Sequence, residues 1–523
     1  MPAQTARRDG ALLVAAFFWL AATAWLRPLA LPDEGRYIGV AWGMLHSGDW
    51  LVPMLDGLPY FHKPPLFYWI TATALALSDT TVAARAAPWL GACLGTASLF
   101  LFAGRWAGRD TALAGLFALV TAPLFFFGAQ YANLDMLVAG CIAATILAFT
   151  HAVLLGREDA AWKRTVLLAY VLCALGVLAK GLIGIVLPGM VLVLWLLVER
   201  RWQAMFQLLW WPGILCFLIV AAPWFVLMQQ RFESFTHYFF VVQHFQRFSE
   251  GGFNNPRGPW FYPVVLAAAT LPWSLWWAGA RQREWRERSE PAAARRLMLL
   301  WAVAITLFFS LPRSKLAGYI LPVVPPLIYL AADAATALRA RAPRWQSAWR
   351  IAAAVAVAAC LAGTALLARH ADGSQGELAR LLRERAAPAD EVFALDEYRY
   401  GLLFEARLRK PVVVAADWSP KAVASRDNWR RELADAAAFA EHREWLVEHD
   451  AVLPRACAAA GVAWFVGNTN IIEEFPWLKH AEKVATRGEL SLWRAAADTP
   501  LRRDQCRGKP SASSGSTSSP PRR

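Results

Sequence analysis

Repeated long apolar segments constrain this chain more than any other feature. They cover residues 10–26, 82–103, 111–129, 133–155, 165–179, 181–198, 204–228, 260–280, 297–312, 316–331 and 350–368. At ~1.5 Å per helical residue, most are long enough to cross ~30 Å of hydrocarbon. The reading is a polytopic α-helical membrane protein with eleven spans, or about 11–13 if 38–55 or 229–250 adds more. The stretch 66–77 is too short to span and is expected to lie at the interface or re-enter. With 57% hydrophobic and only 18% charged residues, a soluble globular reading does not survive.

The net charge of +14 has a topological explanation. With Arg7 and Arg8 in the cytoplasm and the spans alternating, Arg105, Arg109, Arg157, Lys163, Arg200 and Arg201 fall on the same side. The basic residues between 281 and 296 and between 339 and 350 join them. This positive-inside pattern removes the need for a nucleic-acid partner. The opposite side receives the 27–65 loop, the tip at Asn133–Asp135, Lys180, the 229–259 loop and Arg313–Lys315. Arg85, in the first turns of its span, is expected to snorkel to that surface. Arg7-Arg8, the apolar run to Leu26 and Arg27-Pro28 read as a retained signal anchor. No two of the seven cysteines have CxxC spacing, so neither a zinc site nor a disulfide framework is expected.

The membrane domain is expected over 1–368, a small α/β domain over 369–497 and a disordered tail over 498–523. In the α/β domain, Gln375–Ala386 and Asp427–His449 read as helices. Glu391–Asp396, Pro411–Val414 and Val462–Val466 read as strands. From Pro500 onward Ser, Pro, Gly and Arg dominate.

Several outer-side runs carry candidate chemistry. In Leu31-Pro32-Asp33-Glu34-Gly35-Arg36-Tyr37 two carboxylates follow the first span. A helix opening at Pro32 would hold Asp33 ionised through its dipole; the same residues also suit a plain helix start. In Tyr60-Phe61-His62-Lys63-Pro64-Pro65-Leu66 two prolines fix the backbone behind Lys63. A fixed ammonium there can hold a lipid phosphate, or anchor an aromatic belt. Lys180 in Ala179-Lys180-Gly181, Asp135, and the run from Arg313 through Lys315 to Tyr319 reach the same side. The Gly/Pro-rich segment from Gln243 to Tyr262 could close over a substrate.

Taken together, the acidic pair, Ser47-Gly48-Asp49-Trp50, the Lys-Pro-Pro run, Leu134-Asp135-Met136, Ala179-Lys180-Gly181 and Ser314-Lys315-Leu316 resemble the GT-C polyprenyl-phosphate sugar transferases. The resemblance covers about residues 1–335. It is strongest to bacterial lipid A 4-amino-4-deoxy-L-arabinose transferases and extends to the protein O-mannosyltransferases. It implies an inner-membrane enzyme with a periplasmic active site. The donor would be a sugar on a polyprenyl phosphate, the acceptor lipid A or another glycolipid, and transfer would invert the anomeric carbon. Asp33 matches the catalytic carboxylate, with Glu34 beside it. Lys63 would hold the donor phosphate, helped by Arg313 or Lys315. Tyr37, Tyr60, His62, Asp135, Lys180 and Tyr319 would line the cavity. His62 stands where the arabinose transferases usually carry Glu, which makes His62 and His244 candidate ligands of a divalent metal. No other cofactor is expected.

Two other classes compete. A secondary transporter predicts internal repeats and midplane charges on broken helices. A non-catalytic assembly protein explains the spans but not the gathering of Asp33, Lys63, Asp135, Lys180 and Lys315 on one side.

Overall fold

The computed structural model describes residues 3–246, 256–282, 285, 287–424 and 428–506. The chain forms two units: Met1–Pro53 with Tyr60–Ala371, and Met54–Pro59 with Asp372–Arg523.

The helices of the first unit are α1 (Ala3–Ala21), α2 (Asp33–Ser47), α3 (Leu66–Leu77), α4 (Thr81–Ala84), α5 (Ala86–Trp106), α6 (Arg109–Val120), α7 (Pro123–Ala129) and α8 (Leu134–Leu155). They continue with α9 (Trp162–Lys180), α10 (Ile183–Val198), α11 (Trp202–Leu208), α12 (Trp211–Arg231), α13 (Phe261–Ala269), α14 (Glu290–Ser310), α15 (Val324–Arg341) and α16 (Pro343–His370). Among the described residues, seven helices are long and apolar enough to cross a membrane: α5, α8, α9, α12, α14, α15 with its preceding turn, and α16. The pair α6–α7, bent by 65° where Pro123 opens α7, supplies an eighth if counted as one span.

The remaining three of the eleven expected spans fall short of this length and composition. Each of the other three segments is helical, but α10 has only 16 residues. The 260–280 segment breaks around Pro272 into α13 and a 3-10 stretch, Trp273–Gln282. α1 carries Arg7, Arg8 and Asp9 within its 19 residues. α3, at 12 residues, is too short to span, as its sequence implied.

α8 lies at the centre of this unit and is almost entirely buried. It packs against α5 with glycine facing glycine. A Cβ on Gly91 would stand 2.5 Å from Leu137 Cα. Only small residues allow such backbone approach, the usual device where helices gain no hydrophobic driving force from lipid. The close α5–α8 contact fixes the level of Asp135 at the start of α8 and of Arg85 just before α5.

The second unit is an α/β domain. Its six-stranded sheet uses β3 (Glu391–Leu395), β4 (Val413–Ala415), β5 (Leu446–Val447), β6 (Ala463–Asn468), β7 (Glu482–Arg487) and β8 (Leu490–Ala495), in the order β5-β4-β3-β6-β8-β7. The first four pair in parallel; β8 and β7 add antiparallel. β3, β4 and β6 read as almost unbroken apolar runs, as strands buried on both faces do. Helix α17 (Ser374–Arg385) and the three expected strands appear close to their anticipated positions.

Of the helix expected at 427–449, α18 (Trp429–Ala437) is formed. Further on, the sheet edge takes the backbone instead: Val414 N–H donates to Trp445 O at 2.7 Å and Ala416 N–H to Val447 O at 3.1 Å. A short hairpin, β1 (Met54–Leu55) and β2 (Leu58–Pro59), belongs to this unit although the sequence places it in an early loop. Its turn has positive φ at Asp56 and Gly57, the pattern Asp-Gly favours.

Cys457 and Cys506 form a disulfide, which corrects the expectation of none. Pairing across 49 residues leaves no spacing signature. The tail boundary shifts with it. Leu501 is buried and the Arg502 guanidinium donates to the carbonyls of Cys457, Ala459 and Gly461, so the domain continues to Cys506. The rest of the tail expected to be disordered, 507–523, lies outside the described residues.

Candidate active site

Asp33 and Glu34 are the first two residues of α2. Adjacent side chains on a helix point about 100° apart, so the pair cannot face one way. Glu34 turns inward and is wholly buried. It accepts hydrogen bonds from Arg85 Nε and Nη2 at 2.8 and 2.9 Å and from Arg27 Nη1 at 2.5 Å. The main-chain N–H groups of Ala30 and Ala132 add bonds of 2.7 and 2.8 Å. Burial alone would raise this carboxyl, but the guanidinium groups of Arg85 and Arg27 outweigh it and hold it at about 2. Both Glu34 oxygens are engaged by these donors. Arg85 does not snorkel. It is 1% exposed, and it also donates to the carbonyls of Ala24, Arg27 and Pro28. The clamp thus ties the end of the first helix, α2 and the loop before α8 around one carboxylate.

Asp33 turns the other way. Its side chain is 33% exposed, with Oδ1 3.3 Å from Arg36 Nη1. The Tyr131 hydroxyl donates to Oδ2 at 3.4 Å. A carboxylate with two long contacts and open capacity can still accept a proton or a hydroxyl hydrogen bond. Tyr37 is buried one turn on, its ring 5.8 Å from Phe67, and lies within electrostatic reach of Asp33, Asp135 and Tyr319.

Asp135 and Lys180 form a part-buried ion pair, and the ammonium also sits 4.6 Å from the centre of the Tyr319 ring. Asn133 caps α8 through the Asp135 N–H at 3.0 Å, which sets the direction of the carboxylate. A small cleft opens here, lined by Asp135, Lys180, Phe309, Gly318, Tyr319 and Pro322 among others. A Cβ on Gly318 would run into the Asp135 carboxylate, so glycine is what permits the approach. Lys180 is also within electrostatic reach of Asp33. Asp33, Tyr37, Tyr131, Asp135, Lys180 and Tyr319 therefore make one electrostatic neighbourhood.

The remaining candidates occupy other positions. His62 is buried, its Nε2 2.9 Å from the Tyr238 hydroxyl and its ring 4.4 Å from that of Tyr60. Lys63 is half-buried in the segment that enters α3. Arg313 is exposed. Lys315 is buried, and its ammonium donates to the carbonyls of Arg257, at 3.0 Å, and Pro312. Through these carbonyls it clasps the bridge between Pro256 and Ser314. The side chain of His244 lies outside the described residues, as does most of the segment expected to close over substrate.

A family model for dolichyl-phosphate-mannose-protein mannosyltransferase matches residues 11–239. An undecaprenyl phosphate-alpha-4-amino-4-deoxy-L-arabinose arabinosyl transferase of Erwinia tasmaniensis is 33% identical over 313 residues, which are 59% of this chain and 55% of that protein. The crystal structure of ArnT from Cupriavidus metallidurans bound to undecaprenyl phosphate matches with a TM-score of 0.78 and 24% identity, over 95% of this chain and 99% of that one. The two chains share one fold over nearly their whole lengths. An archaeal oligosaccharyltransferase, AglB from Archaeoglobus fulgidus, matches more distantly, with a TM-score of 0.50 and 14% identity over 88% of this chain. The sequence similarity spans just over half the length of the curated relatives, 55% in the case given.

Within this fold, sequence reasoning missed Arg27, Arg85 and Tyr131. A signal existed for Arg85: an ionisable residue at the head of an apolar segment is a functional candidate by default. Tyr131, two residues before the cap of α8, carried none.

Proposed function

We propose that the chain transfers a sugar from a polyprenyl-phosphate donor to a lipid A-type or other periplasmic acceptor, with inversion at the anomeric carbon. The observation that carries the reading is the division of labour in the acidic pair. Glu34 is pinned by Arg27 and Arg85, and Asp33 is left open beside Tyr131 and Tyr37. Asp33 accepts the proton of an acceptor hydroxyl as its oxygen attacks the anomeric carbon, or orients an acceptor that is already anionic. The bond from that carbon to the phosphate oxygen breaks, and polyprenyl phosphate leaves as an anion. Lys63 and Arg313 receive its charge, which is where preorganised electrostatics lower the barrier most. Asp135, Lys180 and Tyr319 shape the wall that meets the sugar. The undecaprenyl phosphate-aminoarabinose donor named for the curated relatives is the first candidate.

The chain is a multi-pass membrane protein, and we place it in the bacterial inner membrane with the site on the periplasmic side. The positive-inside charge pattern supports this. So does the Cys457–Cys506 disulfide, since such bonds persist in oxidising compartments. Mass spectrometry of lipid A from cells with and without the chain tests the proposal. A mass increment that depends on the chain is expected. Unchanged lipid A, together with no sugar transferred to any glycolipid, polysaccharide or protein, refutes it.

A further inference from the structure

The α/β unit contains a cluster that the transfer chemistry does not use. Its sheet has a switch point. The chain winds from β3 outward through β4 to β5, then crosses to place β6 on the other side of β3. In open parallel sheets, ligands lie beyond the carboxyl ends of the strands where the winding reverses. Asp396 follows β3 directly, His449 follows β5, and Glu474 lies a short turn after β6. One donor atom from each falls within 4.8 Å of the others.

The arrangement has the form of a metal site with an orienting partner. Glu474 Oε1 is 3.1 Å from His449 Nδ1. A carboxylate on Nδ1 fixes the tautomer and leaves a lone pair on Nε2, the usual support for a ligating histidine. Nε2 is shielded from solvent and has no hydrogen-bond partner among the described residues. It stands 3.6 Å from Asp396 Oδ1. Two donors each about 2.1 Å from a shared ion lie about 3–3.5 Å apart, so the gap is close to that of a ligand pair. Arg430 donates to Asp396 Oδ1 at 3.0 Å, which takes one of the carboxylate's four acceptor positions and steadies the side chain. His449 also packs edge-on against Phe475, 5.2 Å between ring centres, which limits its rotation.

We propose that Asp396, His449 and Glu474 form a site for a late first-row divalent cation in the α/β unit. His449 Nε2 and Asp396 bind the ion, Glu474 orients the imidazole, and water completes the coordination. Imidazole with carboxylate is a donor set suited to zinc. The test uses the full-length protein in detergent, stripped with chelator and titrated with zinc chloride by calorimetry, with bound metal counted by mass spectrometry. A saturable site is expected. His449→Ala weakens it at least about tenfold, and Glu474→Gln by about 10–100-fold while leaving the fold intact. His442→Ala, an exposed histidine paired with Glu444, leaves binding unchanged. Absence of saturable zinc binding in the unaltered protein overturns the proposal. So does binding that survives His449→Ala, which would place the ion elsewhere on the chain.

Discussion

Replacing Arg85 by Met removes two hydrogen-bonded contacts from a carboxylate with no exposure to solvent. Arg27 remains, as do the N–H groups of Ala30 and Ala132. The size of the effect follows from the carboxyl itself. Its displacement from 4.5 to about 2 corresponds to about 3 kcal/mol at ~1.4 kcal/mol per pH unit. That contribution is present above pH 4.5 and is lost as pH falls through about 2, so at neutral pH the clamp acts in full. Breaking one side of a buried pair costs about 3–5 kcal/mol, in line with this. Arg85→Met should therefore lower the apparent melting temperature in detergent by several degrees. Turnover should fall by about 10²-fold, because α2 no longer holds Asp33 in place. In Arg85→Met/Glu34→Gln the two costs should not add, because the uncompensated charge is gone. Melting and turnover identical to the unaltered protein, or simple additivity in the double variant, would refute the clamp.

Other outcomes follow from single residues. Asp56 is buried with one N–H donor, from Val412, and burial raises its carboxyl from 3.8 to about 7. The stability it supports is full below pH 3.8 and is lost as pH rises through 7, by about 4 kcal/mol in total. Melting curves of the α/β unit from pH 5 to 8 should show this fall, and Asp56→Asn should abolish it. Cys457→Ser opens a 49-residue loop and should cost about 4 kcal/mol in denaturant unfolding of the same unit. Lys63→Ala should raise KM for the polyprenyl-phosphate donor by at least about tenfold, as loss of a charge-assisted phosphate contact does; unchanged donor kinetics would remove the residue from the phosphate site.

The membrane core was legible because apolar length is a direct physical requirement of crossing hydrocarbon. The number of spans was less so: α10 and the broken 260–280 segment are apolar like the seven long helices and differ from them in length and breaks. Asp33 was legible as a candidate carboxylate through its motif. The separation of Asp33 from Glu34 was not, because it depends on which side of α2 meets Arg85, 51 residues away. In sequence, Arg85 reads equally as a functional candidate and as a snorkelling anchor. Lys315 looked like a free cation for the same reason, and its carbonyl partners include Arg257, 58 residues away. β7 escaped notice because an edge strand of charged and small residues lacks the continuous apolar signal of β3 and β6, and in β8 Ser491 and Arg494 interrupt the apolar run.

The central claim is that Asp33 is the carboxylate facing the reaction while Glu34 only holds it there. Turnover of a labelled polyprenyl-phosphate sugar by purified Asp33→Asn protein in lipid nanodiscs tests it most directly. The account predicts a loss of about 10²–10⁴-fold, with donor affinity and melting temperature unchanged. Transfer at the unaltered rate would contradict it.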